Sequence, residues 1–259
     1  INGMGYSVAV YTRSVMAHQS HWHDACIAGL NRHGIKADHR ATGDWVESDV
    51  AVVWGEKARL AASQCAGRVL VVERGFFGSR MLNASMGWDG LNGRADFNNQ
   101  NSEPDRWQQH GVPVMDWHGG DYVLLLGQVP GDMSHAHTDL NQFYRDALLN
   151  HMSKRVVFRP HPLGSVAPDG CEVDAQSSLS DALAGAMLAV TLNSNSGVDA
   201  VLSGTPLAAV DIGSMAWDVS SHNHTLTTPD RTQWLNNLAY CQWNEAEVRS
   251  GEAWAHLRH

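Results

Sequence analysis

Short apolar runs, each five or six residues long and closed by a polar loop, constrain this chain more than any other feature. They are Ser7–Thr12, Asp49–Trp54, Arg68–Glu73, Tyr122–Gly127, Arg155–Arg159, Met187–Leu192 and Pro206–Val210. Runs of that length, rich in Val and Leu and separated by helical patterns, predict an α/β chain with mostly parallel sheets. Helices are expected at 22–33, stopping at Gly34, and at 140–152, 179–186 and 197–202. Two amphipathic stretches, 230–237 and 245–257, close the chain. The sequence Trp117-His118-Gly119-Gly120-Asp121 reads as a junction. It divides the chain into a half at 1–118, a half at 119–240, and a helix at 241–259 that packs back. The Gly- and Asn-rich segment 78–101 has almost no periodicity and is expected to be a long ordered loop, a type that is usually functional.

Composition narrows the class. With 259 residues, 43% hydrophobic and 17% charged, the chain can bury a sizeable core. No apolar run reaches membrane-spanning length, and Ile1–Thr12 lacks the basic region and cleavage site of a signal peptide. Cys26, Cys65, Cys171 and Cys241 show no ligand spacing and read as free thiols, which suits a cytoplasmic protein in a bacterial or phage-infected cell. The net charge of −9 argues mildly against nucleic-acid binding, although Arg68, Arg74, Arg80, Arg94 and Arg106 cluster in one stretch.

Ligands in open α/β sheets bind beyond the carboxyl ends of the strands, and the unusual polar clusters here stand at such places. After one run comes Arg159-Pro160-His161-Pro162, where two prolines fix the imidazole beside a guanidinium, a donor pair for a phosphate leaving group. The same turn also suits a structural histidine. After another comes Thr191-Leu192-Asn193-Ser194-Asn195-Ser196-Gly197, whose hydroxyls open a helix carrying Asp199 in its first turn. Plain N-capping accounts for that composition equally well. A third, Gly127-Gln128-Val129-Pro130-Gly131-Asp132-Met133-Ser134, allows close approach of backbone to a ligand but is a common kind of turn.

In order and spacing these elements resemble the bacterial capsule-polysaccharide Kdo transferases, whose run reads approximately WG-x-K, EDGFLRS, GQVxxDxS, KPHP and SxTGFEALxxG. The matching stretches here are Trp54-Gly55-Glu56-Lys57, Glu73-Arg74-Gly75-Phe76-Phe77-Gly78-Ser79, the segments from Gly127 and Arg159, and Ser194 to Gly204, covering roughly residues 50 to 210. The resemblance implies a GT-B-like fold, two Rossmann-like halves facing each other across a cleft, and transfer from a nucleotide sugar. The family uses a CMP-activated sugar; UDP sugars stay open here. The nucleotide sugar is a co-substrate, and no cofactor or metal is implied. By the same resemblance Arg159 and His161 would contact donor phosphate, Ser194, Ser196 and Gly197 would cradle it, and Asp199 would stand near the nucleotide. Gln128, Asp132 and Ser134 would line the donor side.

This chain departs from the family where the carboxylate of EDGFLRS becomes Arg74, and again at Asp211–Trp217, beyond the last motif. The general base is therefore sought among Glu73, Asp89 and His21, with Arg74, Arg80 and Arg94 on the acceptor side. Glu73 has the best position, at a strand end; a structural carboxylate paired with Arg74 or Arg80 is the competing reading. His18, His21 and His23 are dense, but His21-x-His23 at the start of the first helix reads more simply as a polar entry loop. The stretches 87–95 and 251–257 also look similar to small phage-encoded proteins. Two acceptors follow. One is a saccharide; the other is a hydroxymethyl-pyrimidine in phage DNA, with the five arginines on phosphates and Trp88, Phe97 or Trp107 stacking on a flipped base. A catalytically inactive nucleotide- or glycan-binding module is the alternative from another class, and a glycerophosphate transferase is a further one.

Overall fold

A computed structural model describes residues 6–258. The start of the Ile1–Thr12 run (residues 1–5) and His259, at the end of the expected closing helix, lie outside the described residues. In chain order the first elements are β1 (Val8–Thr12), α1 (Ala17–Arg32), β2 (Asp38–Ala41) and β3 (Ser48–Trp54). Then come α2 (Gly55–Ala62), β4 (Ala66–Arg74), β5 (Asn83–Trp88) and α3 (Asp105–His110). Next are β6 (Tyr122–Leu126), α4 (Leu140–Asn150), β7 (Val156–Arg159), β8 (Glu172–Val173) and α5 (Leu179–Ala184). The chain continues with β9 (Ala186–Thr191), α6 (Ser196–Leu202) and β10 (Leu207–Ala209), and closes with α7 (Thr232–Ala239), β11 (Gln242–Asn244), α8 (Glu245–Ser250) and α9 (Glu252–Leu257).

Two units result. The first joins Ile1–His110 to Leu235–His259, and the second is Gly111–Trp234. The divisions thus fall at 110/111 and 234/235, where the sequence suggested 118/119 and 240/241. The later segment moves because β11 adds to the edge of the first sheet, whose order is β11-β5-β4-β3-β1-β2. Strands β1 to β4 pair in parallel; β5 is antiparallel to β4, and β11 to β5. The second sheet, β10-β9-β6-β7-β8, is parallel throughout.

Strand alternation sorts the first sheet's residues onto two faces. Val8, Val10, Val50, Val52, Leu70 and Val72 pack with Trp22, Cys26 and Leu30 of α1 and with Trp243, Val248 and Trp254 from the end of the chain. Ala9, Tyr11, Ala51, Val53, Val69 and Val71 pack with Ala58 and Ala62 of α2. In the second unit Val123, Leu125, Phe158, Leu188 and Val190 meet Phe143, Tyr144 and Ala147 of α4. All four cysteines are free, and burial raises the Cys26 thiol to about 12.

Three expectations are corrected. Segment 78–101 is not one loop: it contains β5, and a 3-10 turn over Asn92–Arg94. Helix α1 begins at Ala17, five residues before the expected start, so His18 and His21 lie on the helix with His23 and there is no entry loop at 21–23. The closing amphipathic stretch is two helices broken at Gly251, whose φ of +87° caps α8 in the left-handed conformation.

Helix α8 crosses α1 at Gly29. A Cβ there would lie 2.1 Å from the Val248 carbonyl oxygen, a backbone atom that cannot rotate aside. Gly29→Ala is therefore expected to force the helices apart and cost about 1–3 kcal/mol despite alanine's better helix propensity. A variant as stable as the parent in urea unfolding would refute the close crossing.

Candidate donor site and acceptor-side residues

The second unit gathers its polar loops at one edge of its sheet because all its strands are parallel. Gly127 directly follows β6, and a Cβ there would lie 2.5 Å from Ser165 Oγ and 2.9 Å from the Arg159 carbonyl oxygen. The glycine thus admits the neighbouring turn rather than a ligand. Ser165 Oγ in turn accepts the His161 backbone N–H at 2.8 Å. Leu163 N–H donates to His161 Nδ1 at 3.1 Å, so in the neutral ring the proton sits on Nε2, which becomes a donor. Burial lowers the His161 pKa, with Asp132 opposing, and the ring is neutral at pH 7. The Asp132 carboxylate, on the loop after β6, is thus near enough to act on the His161 charge.

The other motif residues have more local roles than the sequence suggested. Asp132 Oδ1 accepts the Ser134 N–H at 2.8 Å and caps a 3-10 turn. Arg159 Nη1 donates to the Ser177 carbonyl oxygen at 2.8 Å. At the start of α6, Ser196 N–H donates to Ser194 Oγ (3.2 Å), Gly197 N–H to the Ser194 carbonyl (2.9 Å) and Val198 N–H to the Asn195 carbonyl (3.0 Å). These backbone donors are spent within the loop, which corrects the expectation of an open amide cradle. Gly197 is buried, and a Cβ there would come 3.1 Å from Leu207, so it serves the packing of α6 on β10. The Ser194 and Ser196 hydroxyls and Asp199 are partly exposed at the same edge.

Gln128 is buried and does not line a surface. Its Oε1 accepts from Thr191 Oγ1 and from Asn193 N–H, both at 3.1 Å, while its Nε2 donates to Asn193 Oδ1 at 3.0 Å. Asn193 Nδ2 donates to the Ser134 carbonyl (2.9 Å) and to Asp211 Oδ2 (2.7 Å). His137 Nε2 stands 3.9 Å from Asp211 Oδ1. Sequence reasoning passed over Asn193 and Asp211 as site residues, although each directly follows a strand that it had read.

In the first unit the candidates separate. Glu73, near the end of β4, shares the α2 face with Val69 and Val71, and its Oε1 would lie 3.1 Å from a Cβ at Gly55. Arg74 is exposed beside Met81, and Arg80 Nε donates to the Phe76 carbonyl at 3.0 Å. Asp89 is elsewhere: β5 runs back along β4 and delivers it beside Val69, whose N–H it accepts at 2.7 Å, with Arg68 Nε at 2.9 Å. Four residues of strand separate Val69 from Glu73, about 13 Å. Asp89 and Arg94 therefore lie at the amino ends of the parallel strands and share no site with Glu73. His21 is on an exposed face of α1, 3.0 Å from Glu245 of α8.

The proposed nucleic-acid contacts are also corrected. Arg106 is buried and bonded to Ala239, Gln242 and Glu247, and Arg68 lies over Trp88. Trp88 is buried with its Nε1 donating to the Leu257 carbonyl at 2.9 Å; Phe97 is buried, and Trp107 packs on Phe77. None of Trp88, Phe97 or Arg106 is displayed for stacking or phosphate contact.

A cluster the sequence did not bring together lies on the α1 face of the same carboxyl edge. Thr12 Oγ1 is 2.5 Å from His39 Nε2, and His18 and His23 stand edge-on to Trp54, with ring centroids 5.0 and 6.5 Å away. His23 is wholly buried, and neither ring nitrogen has a hydrogen-bond partner among the described residues. Burial, with His39 adding repulsion, lowers its pKa to about 4. Among the described residues no group of three or more His, Cys, Asp or Glu side chains is placed to hold a metal ion, and no helix is long and apolar enough to cross a membrane.

No protein-family model matches this sequence, and no curated protein sequence matches it. Solved structures do. The β-Kdo 2,7 transferase of Thermosulfurimonas dismutans KpsC superposes with a TM-score of 0.62 at 13% identity, over 98% of this chain and 100% of that one. The β-Kdo 2,4 transferase of the same KpsC gives 0.65 at 16% identity, over 93% of each. The likeness drawn from the sequence motifs is thus matched by a shared backbone architecture, and the chain has a GT-B-like fold with two α/β units of the Rossmann type.

Proposed function

We propose that the protein is a glycosyltransferase whose second unit binds a nucleotide-sugar donor and whose first unit carries the acceptor-side residues. The observation that carries this reading is the His161 turn: a neutral imidazole with a fixed Nε2 donor, at the same sheet edge as the Ser194 and Ser196 hydroxyls and Asp199. Such donors stabilise charge developing on a leaving phosphate without a metal ion, so turnover is expected to survive EDTA. The KpsC structures transfer Kdo, which together with the motif resemblance makes a CMP-activated sugar the first donor to test.

Thermal stabilisation by CMP, UDP, GDP, UDP-glucose and CMP-Kdo tests the reading, because a ligand specific for the folded state raises the melting temperature. Selective stabilisation by one nucleotide is expected; none from any of them would overturn the donor site. His161→Ala is expected to weaken that nucleotide about 10- to 100-fold, the worth of one hydrogen bond to a charged group. Unchanged affinity would remove His161 from the phosphate.

A saccharide acceptor is favoured over DNA because Arg68 and Arg106 are engaged within the fold, and Arg94 lies at the far end of the strands from Glu73. We assign Glu73 as the general-base candidate; Glu73→Gln with normal turnover would dismiss it. The replacement of the family's carboxylate by Arg74 favours one second reading, an inactive binding module. Slow donor hydrolysis without acceptor would argue against that alternative.

A further inference from the structure

We propose that Asn193 is the positioning residue of the donor site, fastening three strand-end loops with one carboxamide. This rests on the reading of the second unit as the nucleotide-sugar unit. The loops are those after β6, carrying Asp132 and Ser134; after β9, carrying Ser194 and Ser196; and after β10, carrying Asp211. Main-chain bonds from Val210 and Asp211 to the Leu192 carbonyl tie the last two loops at their bases. The loop after β6 meets the other two through side chains.

Asn193 supplies the joints. Its two Nδ2 hydrogens go to the Ser134 carbonyl at 2.9 Å and the Asp211 carboxylate at 2.7 Å. Its Oδ1 and backbone N–H are both held by the Gln128 carboxamide, at 3.0 and 3.1 Å. Gln128 is fixed in turn by Thr191 Oγ1, and its own N–H donates to Tyr144 Oη at 2.9 Å. Asn193 and Gln128 are 2% and 5% exposed, so water does not compete for these bonds. A buried network satisfied at every joint is rigid, and it holds binding groups in one arrangement. Only an amide at this position gives two donors on one side and an acceptor on the other; a carboxylate of the same shape would set negative oxygens against Ser134 and Asp211.

Asn193→Asp tests this with little change of volume. The probe is whichever of CMP, UDP or GDP stabilises the parent protein. Its affinity is expected to fall at least tenfold, with KM for the donor rising more than kcat falls. Hydrogen exchange is expected to quicken at 129–135 and 211–214 while the strands of the unit keep their protection. In the double variant Asn193→Asp, Asp211→Asn the 193–211 bond can re-form with donor and acceptor exchanged, so affinity is expected to recover in part and protection to return at 211–214 but not at 129–135. Unchanged affinity and exchange in Asn193→Asp would overturn the proposal. So would faster exchange throughout the unit with no recovery in the double variant, which would mark a general structural role. If the parent binds no nucleotide, the donor reading fails, and the exchange pattern alone still shows whether Asn193 fastens the loops.

Discussion

Arg106→Ala is expected to destabilise the first unit by about 3–5 kcal/mol, the range found when one partner of a buried ion pair is removed. The side chain is 6% exposed and every part of it is engaged. Nε donates to the Ala239 carbonyl (3.1 Å) and Nη2 to the Gln242 carbonyl (3.0 Å), while Nη1 meets Glu247 Oε1 at 2.7 Å. The guanidinium also lies 4.0 Å from the centroid of Trp243. Truncation removes the donor from the Gln242 carbonyl and the cation from a largely buried carboxylate. It also disturbs the capping box of α8, in which Glu247 and Asn244 bond reciprocally. Arg106→Lys keeps the charge but cannot serve three acceptors in a plane, so an intermediate loss is expected. Arg155 is the control: its pair with Glu172 is about half exposed on both sides and screened by water, so Arg155→Ala should leave the urea midpoint nearly unchanged. Equal urea midpoints for the two alanine variants would contradict this account.

The second large effect is acid sensitivity centred on His23. Its folded-state pKa of about 4 lies below the ordinary value of 6.5. Between these values the unfolded chain binds a proton that the folded chain does not, so stability falls as the pH drops from 6.5 and the loss is complete near 4. The gap corresponds to about 3 kcal/mol. The lowered values of His151 and His224, also caused mainly by burial, act in the same direction. His23→Leu isolates the contribution. Because both ring nitrogens lack partners among the described residues, an apolar side chain of similar volume is expected to leave stability at pH 7.5 unchanged or higher. It is also expected to remove close to one proton from the pH slope between 6.5 and 4. A slope identical to the parent's would show that His23 is not a buried neutral imidazole.

The apolar runs were legible because burial on both faces of a parallel sheet demands nearly continuous Val and Leu. The strands missed were those that need no such pattern. Strand β2 is a charged edge, Asp-His-Arg-Ala, and β11 has three residues. Strand β5, Asn-Ala-Ser-Met-Gly-Trp, has no Val, Ile or Leu and needs a glycine where others crowd it: a Cβ at Gly87 would lie 2.7 Å from Phe97 and Ala95. That omission had a consequence at the site. With 78–101 read as a loop, Asp89 and Arg94 were free to join Glu73; an antiparallel strand carries them to the other edge. In the second unit all strands point one way, so the strand-end residues Asp132, His161, Ser194 and Ser196 were placed on the correct edge from sequence alone. Which of their donors stay available was not legible, because that depends on local bonds such as Ser196 to Ser194. The inward position of His23 was hidden by the late start assigned to α1, whose Met16 cap makes no side-chain hydrogen bond and gives no signal in the sequence.

The first unit closes with residues from the far end of the chain, and this has a consequence for synthesis on the ribosome. When β5 has emerged, its outer edge and the apolar surface awaiting Trp243, Val248 and Trp254 have no cover until β11 to α9 are made. At ordinary elongation rates that interval is about 10–30 s, during which the second unit, continuous in sequence, can complete its own sheet. The second unit therefore matures before the first, although it is made later. An open strand edge and an unfilled apolar face for that interval are what general chaperones bind and what promotes aggregation when synthesis outruns them.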